Sequence, residues 1–414
     1  MTNHSSPKYK WYILALGTAT HIFVAAMPRL GMPVLFKEIA DDLNLSLVQV
    51  GIIWGMVGLS ALFTAFAFGL IGDRYGVRLT LGVACLLQGI AGALRGLSGD
   101  FTSLTIYMFL FSLFSVPLPI TIHKAAGEWF SGRQLGLANG ILASGMGFGT
   151  ALGSMINATA LSPLLGGWRN VMFVYGAVAV VIGFFWLQTK HSPTQSAAAH
   201  STETVSFRQA LPHVIRIKDV WLFALTAMCL SGCTNGLVGY LPLHLRESGW
   251  TPVSADSTLA ALSAASVVGV VPLSLLSDRI GLRKAVMYPA IMMAVIGIGL
   301  LSAFDGVIVW LSVIMVGIVR EAYFAFLITL IMETEGVGAA YAGTALGLYS
   351  SLAGLGAFFA PTLGNGLAII NPSFAFIFWS ALAVVALVIF HFAKETGWKK
   401  RGLASYDSPV PAAR

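Results

Sequence analysis

Apolar residues run along this chain in long blocks separated by short polar breaks, and block length carries the first information. A helix needs about 20 consecutive apolar residues to cross about 30 Å of hydrocarbon. Twelve blocks meet that length. They lie at 11–36, 47–71, 79–97, 101–125, 135–161 and 169–189, then at 220–245, 256–276, 285–304, 307–331, 340–368 and 372–393. Each predicts a transmembrane helix. The one long break, 190–218, is polar and low in complexity and reads as a flexible linker between bundles at 1–189 and 219–393. A polar tail follows at 394–414. The first ten residues, MTNHSSPKYK, are too polar and too close to the first block for a cleavable signal peptide, so that span is expected to stay.

Composition agrees with the pattern. The 414 residues include 24 Lys+Arg and 17 Asp+Glu, so charged side chains make up 10 % and hydrophobic ones 57 %. Soluble domains carry about a quarter charged residues. A mean hydropathy of +0.82 therefore excludes a cytosolic enzyme, a disordered chain and a small disulfide scaffold. A net charge of +7 spread this thinly cannot cover a nucleic-acid face. Of the three cysteines, Cys229 and Cys233 lie one turn apart with no metal-ligating neighbour and read as apolar fillers. No Walker sequence, channel filter or cofactor motif is present, which leaves out a nucleotide-driven pump and points to no cofactor.

Orientation follows the cations. Seventeen of the 24 fall in the even-numbered loops and termini, against four (Lys37, Arg95, Arg169 and Arg246) on the other side. Both termini are thus expected in the cytoplasm. Compact loops suggest a bacterial inner membrane, and a monomer is expected.

The two halves repeat each other. Gly69-x-x-x-Asp73-Arg74-x-Gly76-x-Arg78 follows span two, and Ser274-x-x-x-Asp278-Arg279-x-Gly281-x-Arg283 follows span eight, 205 residues later. Glu128, Gly136, Gly140, Ser144 and Gly147 recur 207 residues on as Glu335, Gly343, Gly347, Ser351 and Gly354. A six-span unit repeated in the same direction gives parallel halves related by an axis along the membrane normal, with substrate bound between them.

The doubled G-x-x-x-D-R-x-G-x-R loop, the six-plus-six layout and the central linker resemble the major facilitator superfamily over nearly the whole chain. The resemblance implies an all-α membrane protein of twelve transmembrane helices in two six-helix bundles related by a pseudo-two-fold axis. It also implies gating roles for Asp73, Arg74, Arg78, Asp278, Arg279 and Arg283, with Glu128 as one carboxylate partner and Glu333 or Glu335 as the other. Spans one, four, seven and ten would line the cavity.

Charges within spans are costly and mark candidate sites. Arg320 lies about 20 Å into span ten at 1.5 Å per residue, and Tyr323 and Phe324 share its face. Its guanidinium suits carboxylate or phosphate; the alternative is a structural pair with Glu321, although neighbours in sequence point about 100° apart on a helix. Glu321 itself is either a proton carrier or a counter-charge. Arg29 lies 17 residues before Ser46, similar to an arginine in the anion:cation symporter branch; that would make it an anion ligand, and the alternative is a snorkelling surface cation. Lys124 reads as a helix-surface partner of Glu128. A shift of 205 carries Arg29 onto Thr234, which directs Thr234 and Asn235 at the same cavity. Tyr349 and Trp54 are rim candidates. His21 could couple protons or serve as a structural histidine.

The expected function is proton-coupled transport of a small organic anion, a carboxylate by preference, with the bilayer and protons as the other partners. An exporter of hydrophobic compounds on the same fold stays open, although its usual glycine-proline signature is missing from span five. A non-transporting receptor is the rival from another class.

Overall fold

The computed structural model describes residues 8–190 and 207–396, with the side chains of 65–75, 132–133, 207–209 and 339–340 outside the description. The described residues form twelve helices long and apolar enough to span a bilayer. They are α1 (Tyr9–Leu43), α2 (Leu47–Thr64), α3 (Gly76–Leu97), α4 (Phe101–Trp129), α5 (Gln134–Leu165) and α6 (Trp168–Leu187) in the first half. The second half holds α7 (Lys218–Glu247), α8 (Pro252–Ile280), α9 (Arg283–Leu300), α10 (Val307–Glu333), α11 (Tyr341–Ala368) and α12 (Pro372–His391). A short helix, Phe207–Ile215, precedes α7. With an even number of crossings, α1 starts and α12 ends on the same face, here the terminal face; the other is the far face.

Local chemistry sets the helix starts. Ser46 and Gln49 form a reciprocal capping box at α2, as do Asp100 and Ser103 at α4. Thr251 and Asn371 cap α8 and α12, each followed by proline in the first turn. Between α2 and α3 the backbone breaks at Gly76, whose φ of 76° suits glycine alone at little cost.

Helix α1 outruns its apolar block by seven residues, ending at Leu43 where the block ended at 36. The extra turns are polar but anchored. Glu38 accepts the Ser162 hydroxyl at 2.6 Å and the Trp168 backbone N–H at 2.8 Å. Asp42 accepts the Trp168 indole N–H at 3.0 Å and pairs with Arg169. These bonds pin the far end of α1 to the α5–α6 turn, so the helix persists where hydropathy stops.

Glycines bring helices together at backbone distance. Gly82, Gly89 and Gly96 on α3 recur every seven residues; a Cβ on each would meet the Gly183, Gly176 and Arg169 carbonyls of α6 at 3.4, 2.8 and 2.7 Å. Gly145, Gly149 and Gly153 of α5 lie likewise against Thr18, Ile22 and Met27 of α1. Such small-residue seams replace the hydrophobic drive that lipid withholds.

The same device joins the halves near the far face. Gly51, Gly55 and Gly58 of α2 lie so close to α11 that added Cβ atoms would meet the Pro361, Phe358 and Gly354 carbonyls at 2.8, 2.6 and 2.5 Å. Asn365 of α11 donates to the Leu47 carbonyl at 2.9 Å. Midway along the bundle, Gly147 of α5 abuts Val267 of α8. The halves are therefore locked together from the middle to the far face.

Two arginines counted as far-side loop cations are held inside the protein instead. Arg95 is 0 % exposed, its guanidinium lying against Met32 of α1 and Met108 and Phe111 of α4. Arg246 bonds the fully buried Asp256 at 2.5 Å, joining α7 to α8.

Candidate functional site

Prolines shape the site. Pro28 lacks an N–H, so it cannot bond the Val24 carbonyl one turn earlier. The Gln88 side-chain amide of α3 donates to it at 2.7 Å. Just ahead, Thr20–Ala26 is wound as π-helix, a local widening that commonly accompanies function. Past this distortion comes Arg29. On α11, Pro361 likewise leaves the Ala357 carbonyl free, and Asn235 of α7 donates its side-chain amide to it at 2.9 Å. Both proline-bearing helices border one space.

That space is a cavity of about 320 Å³ between the halves. Arg29 enters from α1 and Arg320 from α10, one guanidinium from each half, with Thr234 and Asn235 from α7 and Tyr349 from α11. The Arg29 Nε is buried without a hydrogen-bond partner, and no described carboxylate forms an ion pair with it. Arg320 has one loose counter-charge, Glu321 Oε1, 3.6 Å from its Nε. Glu321 does not line the cavity; its half-exposed side chain lies within electrostatic reach of Arg29 and Tyr349. Two guanidiniums against one carboxylate leave the space positive. Ten N–H donors on the two arginines, five on each, favour a planar oxyanion.

Ser112, Ser115, Phe111 and Phe324 also line the cavity. Phe324 shares the face of Arg320 as spacing predicts, and the Ser112 hydroxyl is buried without a partner. The serines were missed in the sequence, yet the repeat holds one of them: a shift of 205 carries Ser115 onto Arg320, as it carries Arg29 onto Thr234.

Other candidates lie behind the wall. Trp54 is fully buried in the lock between halves, its indole N–H donating to the Asn235 carbonyl at 2.8 Å and its ring packed on Gly239. It bridges α2 and α7 rather than rimming the pocket. Tyr323 is also fully buried, its ring 4.8 Å from that of Phe324, turned toward Cys233 and Thr234. His21 sits in the π-helical turn with Nδ1 2.9 Å from the Leu142 carbonyl and its ring 5.4 Å from that of His123. Asn139 Oδ1 in turn lies 2.9 Å from His123 Nδ1.

On the terminal face, the Arg78 guanidinium donates to the last-turn carbonyl of Leu187 on α6 at 2.8 Å. Arg283 bonds Asp278 at 2.5 Å and Glu333 at 3.2 Å, and Glu395 receives the Arg283 and Lys284 backbone N–H groups at 2.9 Å each. These contacts stay within one half. Glu128 lies within electrostatic reach of Lys124 one turn before it, whereas Arg279 and Glu335 are exposed. The side chains of Asp73 and Arg74 lie outside the described residues.

Comparison with known proteins gives the same outline. The sequence model of the Major Facilitator Superfamily matches residues 14–361. A hexuronate transporter of Bacillus subtilis is 31 % identical over 160 residues, 39 % of this chain and 36 % of its own length. A probable nitrate/nitrite antiporter of Thermus thermophilus is 28 % identical over 360 residues, 80 % of this chain and 79 % of its own. The chain thus spans about a third of the first relative and four fifths of the second. Among solved structures, a bacterial homologue of the human lysosomal transporter Spinster superposes with a TM-score of 0.76 at 15 % identity, covering 94 % of this chain and 97 % of that one. The last likeness concerns the fold.

Proposed function

The chain belongs to the major facilitator superfamily, and on that premise we propose that it carries a small organic anion, a carboxylate, by proton-coupled alternating access. The observation that carries the proposal is the meeting of Arg29 and Arg320, one from each half, on a single cavity. A bound carboxylate bridges the two guanidiniums and draws the halves together around it. The relatives named above as hexuronate and nitrate/nitrite carriers also take anions, which supports the reading.

Glu321 supplies the coupling. Deprotonated, it competes for Arg320 across 3.6 Å; protonated, it releases the guanidinium to the substrate. Uptake of proton and anion then go together. His21, one layer behind the wall, is the second proton candidate. The bundles at 1–189 and 219–393 rock about the cavity, the linker 190–218 and the tail 394–414 lie in the cytoplasm with both termini, and a monomer in a bacterial inner membrane does the work. With that orientation, the lock at the far face makes this the inward-facing state. Asp73, Arg74, Arg78, Glu128, Asp278, Arg279 and Arg283 form the gate, and their partners exchange as the terminal face closes.

The test is ligand-induced thermal stabilisation of the purified protein with a panel of carboxylates, followed by uptake into proteoliposomes under an imposed pH gradient. A carboxylate that stabilises the wild type and not Arg320→Ala is expected. Glu321→Gln should still bind but lose its acceleration by the gradient. Stabilisation by lipophilic cations alone, unaffected by Arg320→Ala, would favour export of hydrophobic compounds.

A further inference from the structure

A third arginine lies behind the cavity wall. Arg95 is 0 % exposed, and beyond the Phe111 ring and the neighbouring Tyr175 its surroundings offer its charge little. Its Nε donates to the Gly92 carbonyl at 3.3 Å; Nη1 reaches only the sulfurs of Met108 at 3.8 Å and Met32 at 4.0 Å. Its Nη2 has no hydrogen-bond partner, and no described carboxylate pairs with it. A guanidinium does not shed its proton, so this is a buried positive charge with no described carboxylate beside it, a costly group to keep in a protein interior. A purely structural tie between α1, α3 and α4 would be served as well by an apolar side chain of the same length.

One ring separates it from the cavity. The Arg95 guanidinium carbon lies 3.7 Å from the centroid of Phe111. Phe111 is a wall residue of the substrate cavity and also of the small crevice that holds Arg95, Gln88 and Pro28. That crevice has no room for a water. Two groups in it are buried without partners, Arg95 Nη2 and Gln88 Oε1, and Ser112 Oγ is a third beside Phe111 on the cavity wall.

We propose that Phe111 is a movable partition and Arg95 a reserve anion site: when the ring turns aside, Arg95 takes the second carboxylate of a dicarboxylate whose first is held by Arg29 and Arg320. The idea rests on the anion reading of the cavity and narrows it from monoanions to dianions. The movement required is a turn of the ring about its two side-chain torsions, out of the space it fills between Arg95 and the cavity. The dianion repays the lost cation–π contact with charge-assisted hydrogen bonds, which are stronger. Monoanions gain nothing from the movement, so the partition stays shut to them.

The experiment uses gluconate and glucarate, which share a hydroxylated six-carbon chain and differ by one carboxylate, titrated against the thermal stability of the full-length protein. The wild type should bind glucarate about tenfold tighter than gluconate, one charge-assisted contact's worth. Arg95→Gln should cut glucarate affinity about tenfold more than gluconate affinity. Phe111→Ala, which removes the partition and keeps the arginine, should widen the preference for glucarate. Equal loss of both ligands in Arg95→Gln, or an unchanged ratio, overturns the proposal. Should Arg95→Gln not fold, an unchanged ratio in Phe111→Ala overturns it alone. Arg320→Ala separates the two levels: if it spares both ligands, the anion reading itself fails; if it abolishes both while the Arg95 and Phe111 ratios stay at the wild-type value, only the reserve site is wrong.

Discussion

Asn235 donates its side-chain amide to the Ala357 carbonyl, which Pro361 leaves without a helical donor. One bond therefore satisfies the carbonyl orphaned in α11 and fixes the orientation of a cavity residue on α7. Asn235→Leu should destabilise the protein by about 1–3 kcal/mol, the usual cost of an orphaned buried acceptor. Pro361→Ala restores an N–H to α11, so the same Asn235→Leu change should cost much less in that background. A double-mutant cycle on unfolding free energy in detergent checks this. Additive effects would mean that the cost of Asn235→Leu does not come from the carbonyl that Pro361 orphans. Gln88 of α3 with Val24 and Pro28 of α1 forms the matching set in the first half.

The Arg246–Asp256 pair makes a separate prediction. Asp256 is fully buried and the Arg246 side chain is 11 % exposed. Removing one partner strands the other charge inside the protein. Asp256→Ala should lower stability by about 3–5 kcal/mol, and Arg246→Met with Asp256→Leu should recover most of it. Melting curves of the wild type and the two variants decide the matter; an Asp256→Ala protein as stable as the wild type would show that Arg246 finds water on its own.

Asp100 offers a pH test outside the membrane-spanning segments. Its carboxylate accepts the Ser103 backbone N–H at 2.7 Å and the Ser103 hydroxyl at 2.9 Å, and these bonds hold its pKa below the ordinary 3.8. A carboxylate depressed on folding adds stability above its unfolded pKa and loses it as pH falls through the folded value. The capping contribution should therefore be constant from neutral pH down to the ordinary carboxylate range and fade below it. Asp100→Asn keeps a capping oxygen without the charge. Its melting temperature should thus fall less than that of the wild type between pH 6 and pH 3, a window set about the ordinary carboxylate value.

The twelve spans could be read directly because a bilayer demands length, and length survives in hydropathy without any knowledge of neighbours. The cavity was half legible. Arg29 and Arg320 stand out because charge at depth is rare, and the repeat led from Arg29 to Thr234. Applied to Arg320, the same shift would have reached Ser115. Trp54 was harder, since periodicity gives the face of a helix but not what lies opposite. Only the contact with Asn235 and Gly239 shows that Trp54 belongs to the lock between halves. Arg95 looked like a loop cation because it sits three residues from Ser98 at the end of α3; the 3₁₀ turn Arg95–Leu97 folds it inward. The polar end of α1 failed for the opposite reason, as Glu38 and Asp42 find their partners about 125 residues away, too far for any local pattern to reveal.

The lock predicts how the transporter can be trapped. A Cβ on Gly55 would lie 2.6 Å from the Phe358 carbonyl and 3.2 Å from its Cα. Backbone atoms cannot turn aside as a side chain can, so Gly55→Ala must push α2 and α11 apart where the halves meet. Nothing within α2 itself opposes alanine, a better helix former than glycine by about 1 kcal/mol. The variant should therefore fold and lose the closed far face rather than its stability. Cysteines placed on α2 and α11 near Gly51 and Thr362, where the two helices also touch, should cross-link readily in the wild type and poorly in Gly55→Ala. Transport should fall at least tenfold, about 1.4 kcal/mol on the closing step. A variant that cross-links and transports like the wild type would show that α2 and α11 tolerate a wider spacing and that the lock lies elsewhere, with Gly147 and Val267 between α5 and α8 the next pair to test.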